Sequence, residues 1–179
     1  MFTEEQQRTL VEIARRAVAR GVNGAGPGDV PVIAGLPDAT GAFVTLKKHG
    51  ELRGCIGTLE CRRTLAEEVA RVAVSAALED PRFQPVSVAE LNDLVVEVSV
   101  LGPLEPIDPL DPSAIEIGRH GLVVEQSGRR GLLLPQVATQ WGWDQQAFLD
   151  QTCAKAGLPR NCWRTGATVY RFAANVFGG

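Results

Sequence analysis

The chain lacks most of the residues that would announce a function outright. It has only two histidines, His49 and His120, far apart in sequence. Its four cysteines, Cys55, Cys61, Cys153 and Cys162, show no Cys-x-x-Cys or other zinc spacing, so no metal site is expected. Lysine is scarce, with 3 against 15 arginines, and the net charge is −3, which speaks against general attraction to nucleic acid or anionic membrane. No apolar run approaches the roughly 18 residues that span a bilayer. The start, Met1-Phe-Thr-Glu-Glu-Gln-Gln7, is polar and acidic and unlike a signal peptide. These features predict a cytoplasmic protein with reduced thiols and no membrane association. There is no G-x-G-x-x-G, no phosphate loop and no H-E-x-x-H, and no cofactor is expected.

What is present suits one globular domain. The chain has 179 residues, 45% of them hydrophobic and 22% charged. Thr3-Glu-Glu-Gln6 and Thr64-Leu-Ala-Glu67 are capping boxes that open helices reaching about Gly21 and Ala77; Ser87-Val-Ala-Glu90 is a third that starts a short helical turn. Glu67-Glu68 at a helix start suits the dipole and carries no further information. Residues 21–41 are rich in Gly and Pro, and a connection of that length is expected to be functional or mobile. Gly41–Lys48 and Leu52–Thr58 read as strands joined by a His49-Gly50 turn. Leu94–Leu101 alternates as a strand. Residues 102–113 carry four prolines and read as a connection between lobes. Gly121–Gln126 and Gly131–Leu134 form a hairpin around Ser-Gly-Arg-Arg. Pro135 opens a short helix, Asp144 caps another through about Ala156, and Ala167–Ala174 is a last strand. No internal repeat is evident. Hairpins dominate, so the predicted class is α+β with antiparallel sheet.

Residues 52–58, Leu-Arg-Gly-Cys-Ile-Gly-Thr, are the most informative stretch. On a regular strand Arg53, Cys55 and Gly57 share one face, and Leu52, Gly54, Ile56 and Thr58 the other. A guanidinium beside a thiol favours the nucleophilic thiolate. Gly54 and Gly57 weaken a strand, and Gly57 is expected to leave room beside the thiol. The alternative is that Cys55 is a small core hydrophobe. His120, in Gly118-Arg-His-Gly121, is the candidate proton-transfer partner, or an ordinary loop histidine. Gln136 is positioned to bind a ligand or to cap backbone. Cys153 reads as core, and a Cys55–Cys61 redox pair is left open. The pairs Arg15-Arg16, Arg62-Arg63 and Arg129-Arg130 are solvated charge or a local patch. Trp141 and Trp143 are core or an aromatic wall.

The Leu52–Thr58 motif resembles the hallmark of the AMMECR domain family. So do Gly41-Ala-Phe-Val-Thr-Leu46, Asp80-Pro-Arg-Phe83, Val96-Glu-Val-Ser-Val-Leu101, Gly131-Leu-Leu-Leu-Pro-Gln-Val137 and Cys153-Ala-Lys-Ala-Gly-Leu-Pro159, in that order. The resemblance implies an α+β, two-lobed fold with antiparallel sheets flanked by helices and a cleft between the lobes. In bacterial members it also implies a Gly-basic-His-Gly stretch where His120 stands, and an association with radical SAM and Memo-like proteins. The chain lacks the three-cysteine cluster of a radical SAM enzyme, so that chemistry would belong to a partner.

Three functions follow as expectations. The first is a small-molecule enzyme or substrate-handling component. In it Arg53, Gly54, Gly57, Thr58 and Gln136 bind the ligand, Cys55 is the nucleophile and His120 moves protons. The second is a non-catalytic binding or scaffold module acting with radical SAM and Memo-like proteins. The third is an RNA or protein regulatory factor.

Overall fold

A computed structural model describes all residues, 1–179, as two compact units: Met1–Leu101 with Asn175–Gly179, and Gly102–Ala174. The first holds α1 (Glu4–Val22), β1 (Gly41–Lys48), β2 (Glu51–Thr58), α2 (Leu65–Leu78), a 3₁₀ turn (Val88–Asp93) and β3 (Leu94–Leu101). The second holds β4 (Glu105–Ile107), β5 (His120–Gln126), β6 (Arg129–Leu133), α3 (Pro135–Trp141), α4 (Gln145–Lys155), a 3₁₀ turn (Cys162–Arg164) and most of β7 (Thr168–Gly178).

In the first unit β1 is central, antiparallel to β2 on one side and β3 on the other. His49 and Gly50 both have positive φ, 52° and 82°, the two-residue turn whose twist matches the strands it joins. Alternation puts Ala42, Val44 and Leu46 on the buried face with Val96, Val98 and Val100. α1 and α2 close over that face, and their stripes, including Leu10, Ala14, Ala17, Val69, Val72 and Ala76, complete one core. Each large aliphatic side chain withdrawn from water there contributes about 1.5–3 kcal/mol. The Thr3 and Thr64 hydroxyls accept the backbone N–H groups of Gln6 and Glu67, closing both helix N-termini. The last residues of the chain return to this unit. Phe177 meets Phe2 with ring centroids 5.6 Å apart, and the Gly179 N–H donates to the Val96 carbonyl.

The second unit has its own core around Leu122, Val124, Phe148, Leu149 and Val169. Its strand order is β4-β7-β5-β6, all antiparallel. β4 lies within the proline-rich stretch read as a connection, and Pro106 is tolerated there because β4 is an edge strand. Ser127 and Gly128, φ 53° and 76°, form the turn, so Arg129 and Arg130 begin β6 instead of lying in the loop. The reduced-thiol expectation is corrected here: Cys153 and Cys162 form a disulfide with Cα atoms 6.1 Å apart, while Cys55 and Cys61 are free.

The two units share one plan that the sequence does not display. Each has a hairpin with a two-residue turn of positive φ, then helix, then a third strand antiparallel to the first strand of the hairpin: β1-β2-α2-β3 and β5-β6-α3-α4-β7. In each, a buried aliphatic on the first strand faces a buried glycine on the second, Leu46 opposite Gly54 and Val124 opposite Gly131. Both glycines are pressed against helical backbone, Gly54 at Ala76 and Gly131 at Ala156, where a Cβ has no room. Counting from the turns, the glycines fall out of step by one residue. The extra residue is in β2, where the ladder passes from Leu46↔Gly54 to Lys47↔Leu52 and skips Arg53. Arg53 is a β-bulge, a feature enriched beside functional sites, and β6 pairs without one.

Candidate functional site

The bulge organises a cluster on the free edge of β2. Thr45 and Cys55 face each other across β1 and β2, and the Thr45 Oγ1 lies 3.2 Å from the Cys55 Sγ. The Cys55 N–H and C=O point away from β1, where an edge strand would leave them unpaired. The Cys55 N–H instead donates to Asp80 Oδ2 at 2.9 Å, and its carbonyl accepts from the Arg82 guanidinium at 3.4 Å. Arg82 also donates to Asp80 from its backbone N–H, Nε and terminal amine, the last at 2.7 Å. The Arg82 guanidinium holds the buried Asp80 carboxyl well below the usual range against the opposing pull of burial, and Asp80 in turn raises Arg82.

Arg53 does not turn to the thiol. Its Nε and a terminal amine fork onto the two oxygens of Glu90, at 2.9 and 3.1 Å. Lys48 adds a contact to Glu90 at 3.1 Å, and the Ser87 N–H and hydroxyl donate to it as well. Arg53 first, then the Ser87 N–H, hold the Glu90 carboxyl far below its ordinary value. The Phe83 ring is within cation–π reach of both cations, its centroid 5.9 Å from the Arg53 guanidinium carbon and 5.5 Å from that of Arg82.

The residues named from sequence separate on this framework. Arg53 and Cys55 lie in the cluster. Gly54 faces the opposite side, against α2. The room expected above Gly57 is filled, because the Phe43 ring directly opposite covers it. Thr58 turns its hydroxyl to Glu60, donating to the carbonyl and accepting the N–H. His120 and Gln136 belong to the second unit. The His120 Nδ1 accepts the Glu116 N–H at 3.0 Å, which puts the proton of the neutral ring on Nε2, and burial, then Arg171 and Arg119, lower its pKa. Gln136 is exposed in the first turn of α3. No group of three His, Cys, Asp or Glu side chains converges as a metal site.

Sequence reasoning missed Asp80, Arg82 and Glu90 as partners of the motif. Asp80-Pro-Arg-Phe83 was visible as a conspicuous string, and Glu90 as half of a capping box. Neither signal tells which strand they serve. Glu68 was also missed. It is buried, accepts the Arg62 and Arg63 N–H groups and pairs with Arg71, so it holds the loop after β2 instead of merely complementing a helix dipole. Burial pushes its pKa up more than any one partner pulls it down, but Arg71 and those two N–H groups together bring it below the ordinary value.

An α+β protein with two hairpin-based units and a bulged edge strand fixed by an acid–arginine cluster is the class these features define. The chain belongs to the AMMECR1 family, whose model matches residues 11–177. It is 49% identical to a protein of Methanothermobacter thermautotrophicus over 98% of this chain and 95% of that one. It is 45% identical to a protein of Thermococcus onnurineus over 97% and 90%. The crystal structure of the uncharacterized protein PH0010 from Pyrococcus horikoshii superposes with a TM-score of 0.84 at 40% identity, covering 99% of this chain and 93% of that one. No helix is long and apolar enough to cross a membrane.

Proposed function

We propose that the chain is a non-catalytic binding module that presents the β2 edge to a protein partner. The observation that carries this reading is the commitment of Arg53. The cation that would activate Cys55 is locked bidentate to Glu90, at the one extra residue that distinguishes β2 from β6. Asp80 and Arg82 likewise serve the strand edge, so the cluster fixes a shape and offers no free base beside the thiol. The chain resembles the bacterial AmmeMemoRadiSam system protein A, which makes a radical SAM protein and a Memo-like protein the partners to try first. Co-purification with those two proteins is the test. Cys55→Ser should retain the partner and Glu90→Gln should lose it. Loss with Cys55→Ser alone would overturn the binding reading in favour of thiol chemistry.

That second reading rests on the Thr45–Cys55 contact at 3.2 Å and on a Cys55 that is only partly buried. In it, Cys55 is the nucleophile of a small-molecule site. Alkylation of Cys55 followed against pH in folded protein separates the two. Rapid labelling near neutrality favours the nucleophile, and labelling only on unfolding leaves the binding module.

A further inference from the structure

A second site lies on α1, away from the β2 edge, and does not depend on the function proposed above. Arg8, Glu12, Arg16 and Arg20 recur every four residues and rise from one stripe of the helix. Arg16 and Arg20, one turn apart, repel each other and cost the helix stability. The stripe lines an open cavity of about 460 Å³ whose other wall is the Pro27–Pro31 stretch. That volume falls within the roughly 300–1,000 Å³ of small-molecule sites.

The three guanidinium groups are held in a common way. Each is anchored through Nε: Arg8 on the Glu4 carbonyl at 3.4 Å, Arg16 on the Glu12 carboxylate at 3.1 Å, and Arg20 on the Gly26 carbonyl at 2.9 Å. Their terminal amines make no bond to the protein. Arg20 is seated further by Gly28, whose φ is 79° and where a Cβ would stand 2.7 Å from the Arg20 Nε. Glu12 and Asp29 also line the cavity, but Glu12 is already paired with Arg16. Three cations against two carboxylates leave the lining at +1 in a chain of net charge −3. Ile13 and Val30 supply an apolar part of the wall.

We propose that this cavity binds a phosphorylated small molecule. Its phosphate is taken by the terminal amines of Arg16 and Arg20, with Arg8 adding charge, and its organic part rests on Ile13 and Val30. Planar guanidinium forks match phosphate oxygens in pairs, which a scatter of lysines would not do.

Titration calorimetry at low salt with inorganic phosphate, pyrophosphate and ribose 5-phosphate tests this. Saturable binding is expected, tighter for ribose 5-phosphate than for inorganic phosphate. Arg16→Ala and Arg20→Ala should each weaken it by about fivefold or more. Arg15→Ala removes the same charge from the same helix outside this cavity and should leave affinity within about twofold. Gly28→Val changes no charge but crowds Arg20 and, at a positive φ, strains the Pro27–Pro31 wall, and should weaken binding as well. All four positions are exposed, so these variants keep the core intact. Absence of saturation up to about 20 mM, weaker than any useful affinity, would overturn the proposal. Equal weakening by Arg15→Ala, or a Gly28→Val variant that binds like wild type, would overturn it too. Ribose 5-phosphate binding no tighter than inorganic phosphate would likewise overturn it, because the organic part then adds nothing.

Discussion

Phe43 lies over Gly57. The two residues are direct partners across β1 and β2, and the aromatic ring occupies the place where a side chain at 57 would stand. The same relationship joins Phe172 of β7 to Gly121 of β5 in the second unit. A glycine that weakens its strand is thus covered by the ring opposite, a known remedy for glycine in sheets.

Gly57→Ala should therefore destabilise through overpacking, by about 1–3 kcal/mol, with Gly57→Asp worse because it adds an unpaired charge. Phe43→Leu combined with Gly57→Ala should recover part of the loss. Chemical denaturation of the two single variants and the pair measures the coupling. Additive losses would show that the ring and the glycine do not share one space.

Gly54→Ala and Gly131→Ala should both be severe, since the new methyl meets helical backbone that has no rotamer to yield. A loss of about 3 kcal/mol or more is expected at each, read from thermal or urea unfolding. A mild effect at Gly131 alone would mean that α4 shifts where α2 does not.

Glu90→Gln should cost about 1–3 kcal/mol, because it leaves two partly buried cations, Arg53 and Lys48, without their shared carboxylate. Arg53→Lys should recover little, as an ammonium cannot fork onto both oxygens. Melting curves of the two variants, and a crystal structure of the first showing Arg53 displaced, are the checks.

Stability should fall with acid in two stages. Asp80 and Glu90 have folded pKa values below their unfolded ones, about 3.9 and 4.3, so the stability they add is present above those values and is lost as pH falls below about 4. The lowered pKa of His120 makes the unfolded state the better proton acceptor. Its stability is therefore complete above the unfolded value of about 6.5 and declines as pH drops from there. Melting temperature against pH should show a shallow decline from about pH 6.5 and a steep one below about pH 4. His120→Asn should remove the first stage and Glu90→Gln should soften the second.

Much of this architecture was legible where local chemistry decides it. Thr3 and Thr64 announced their helices, Val96, Val98 and Val100 announced β3, and His49-Gly50 announced a hairpin. β4 was hidden because Pro106 speaks for a loop, and only pairing with β7 makes it a strand. The bulge was hidden because alternation assumes an even ladder, and nothing in Leu-Arg-Gly-Cys shows that Arg53 has no partner residue. Arg53 was read as a neighbour of Cys55, two residues away, whereas its partner, Glu90, is 37 residues on. The repeat was hidden because the corresponding positions share geometry and hardly any residues. Leu46 and Val124 fill the same role with different residues, and among the positions compared only the turn glycines, Gly50 and Gly128, and the packed pair, Gly54 and Gly131, keep the same residue.

The return of Asn175–Gly179 to the first unit sets an order of events during synthesis. By the time β3 has left the ribosome, the first unit has its helices and three strands, but neither Phe177 against Phe2 nor Gly179 on Val96. Those contacts close only after the entire second unit has been made, across nearly the full length of the chain. Such closure is slow by comparison with local pairing. Because β7 runs without a break from the second unit into Asn175–Gly179, the last strand of the second unit and the closing contacts of the first are delivered together, and the Val96 carbonyl of β3 waits for its partner until then.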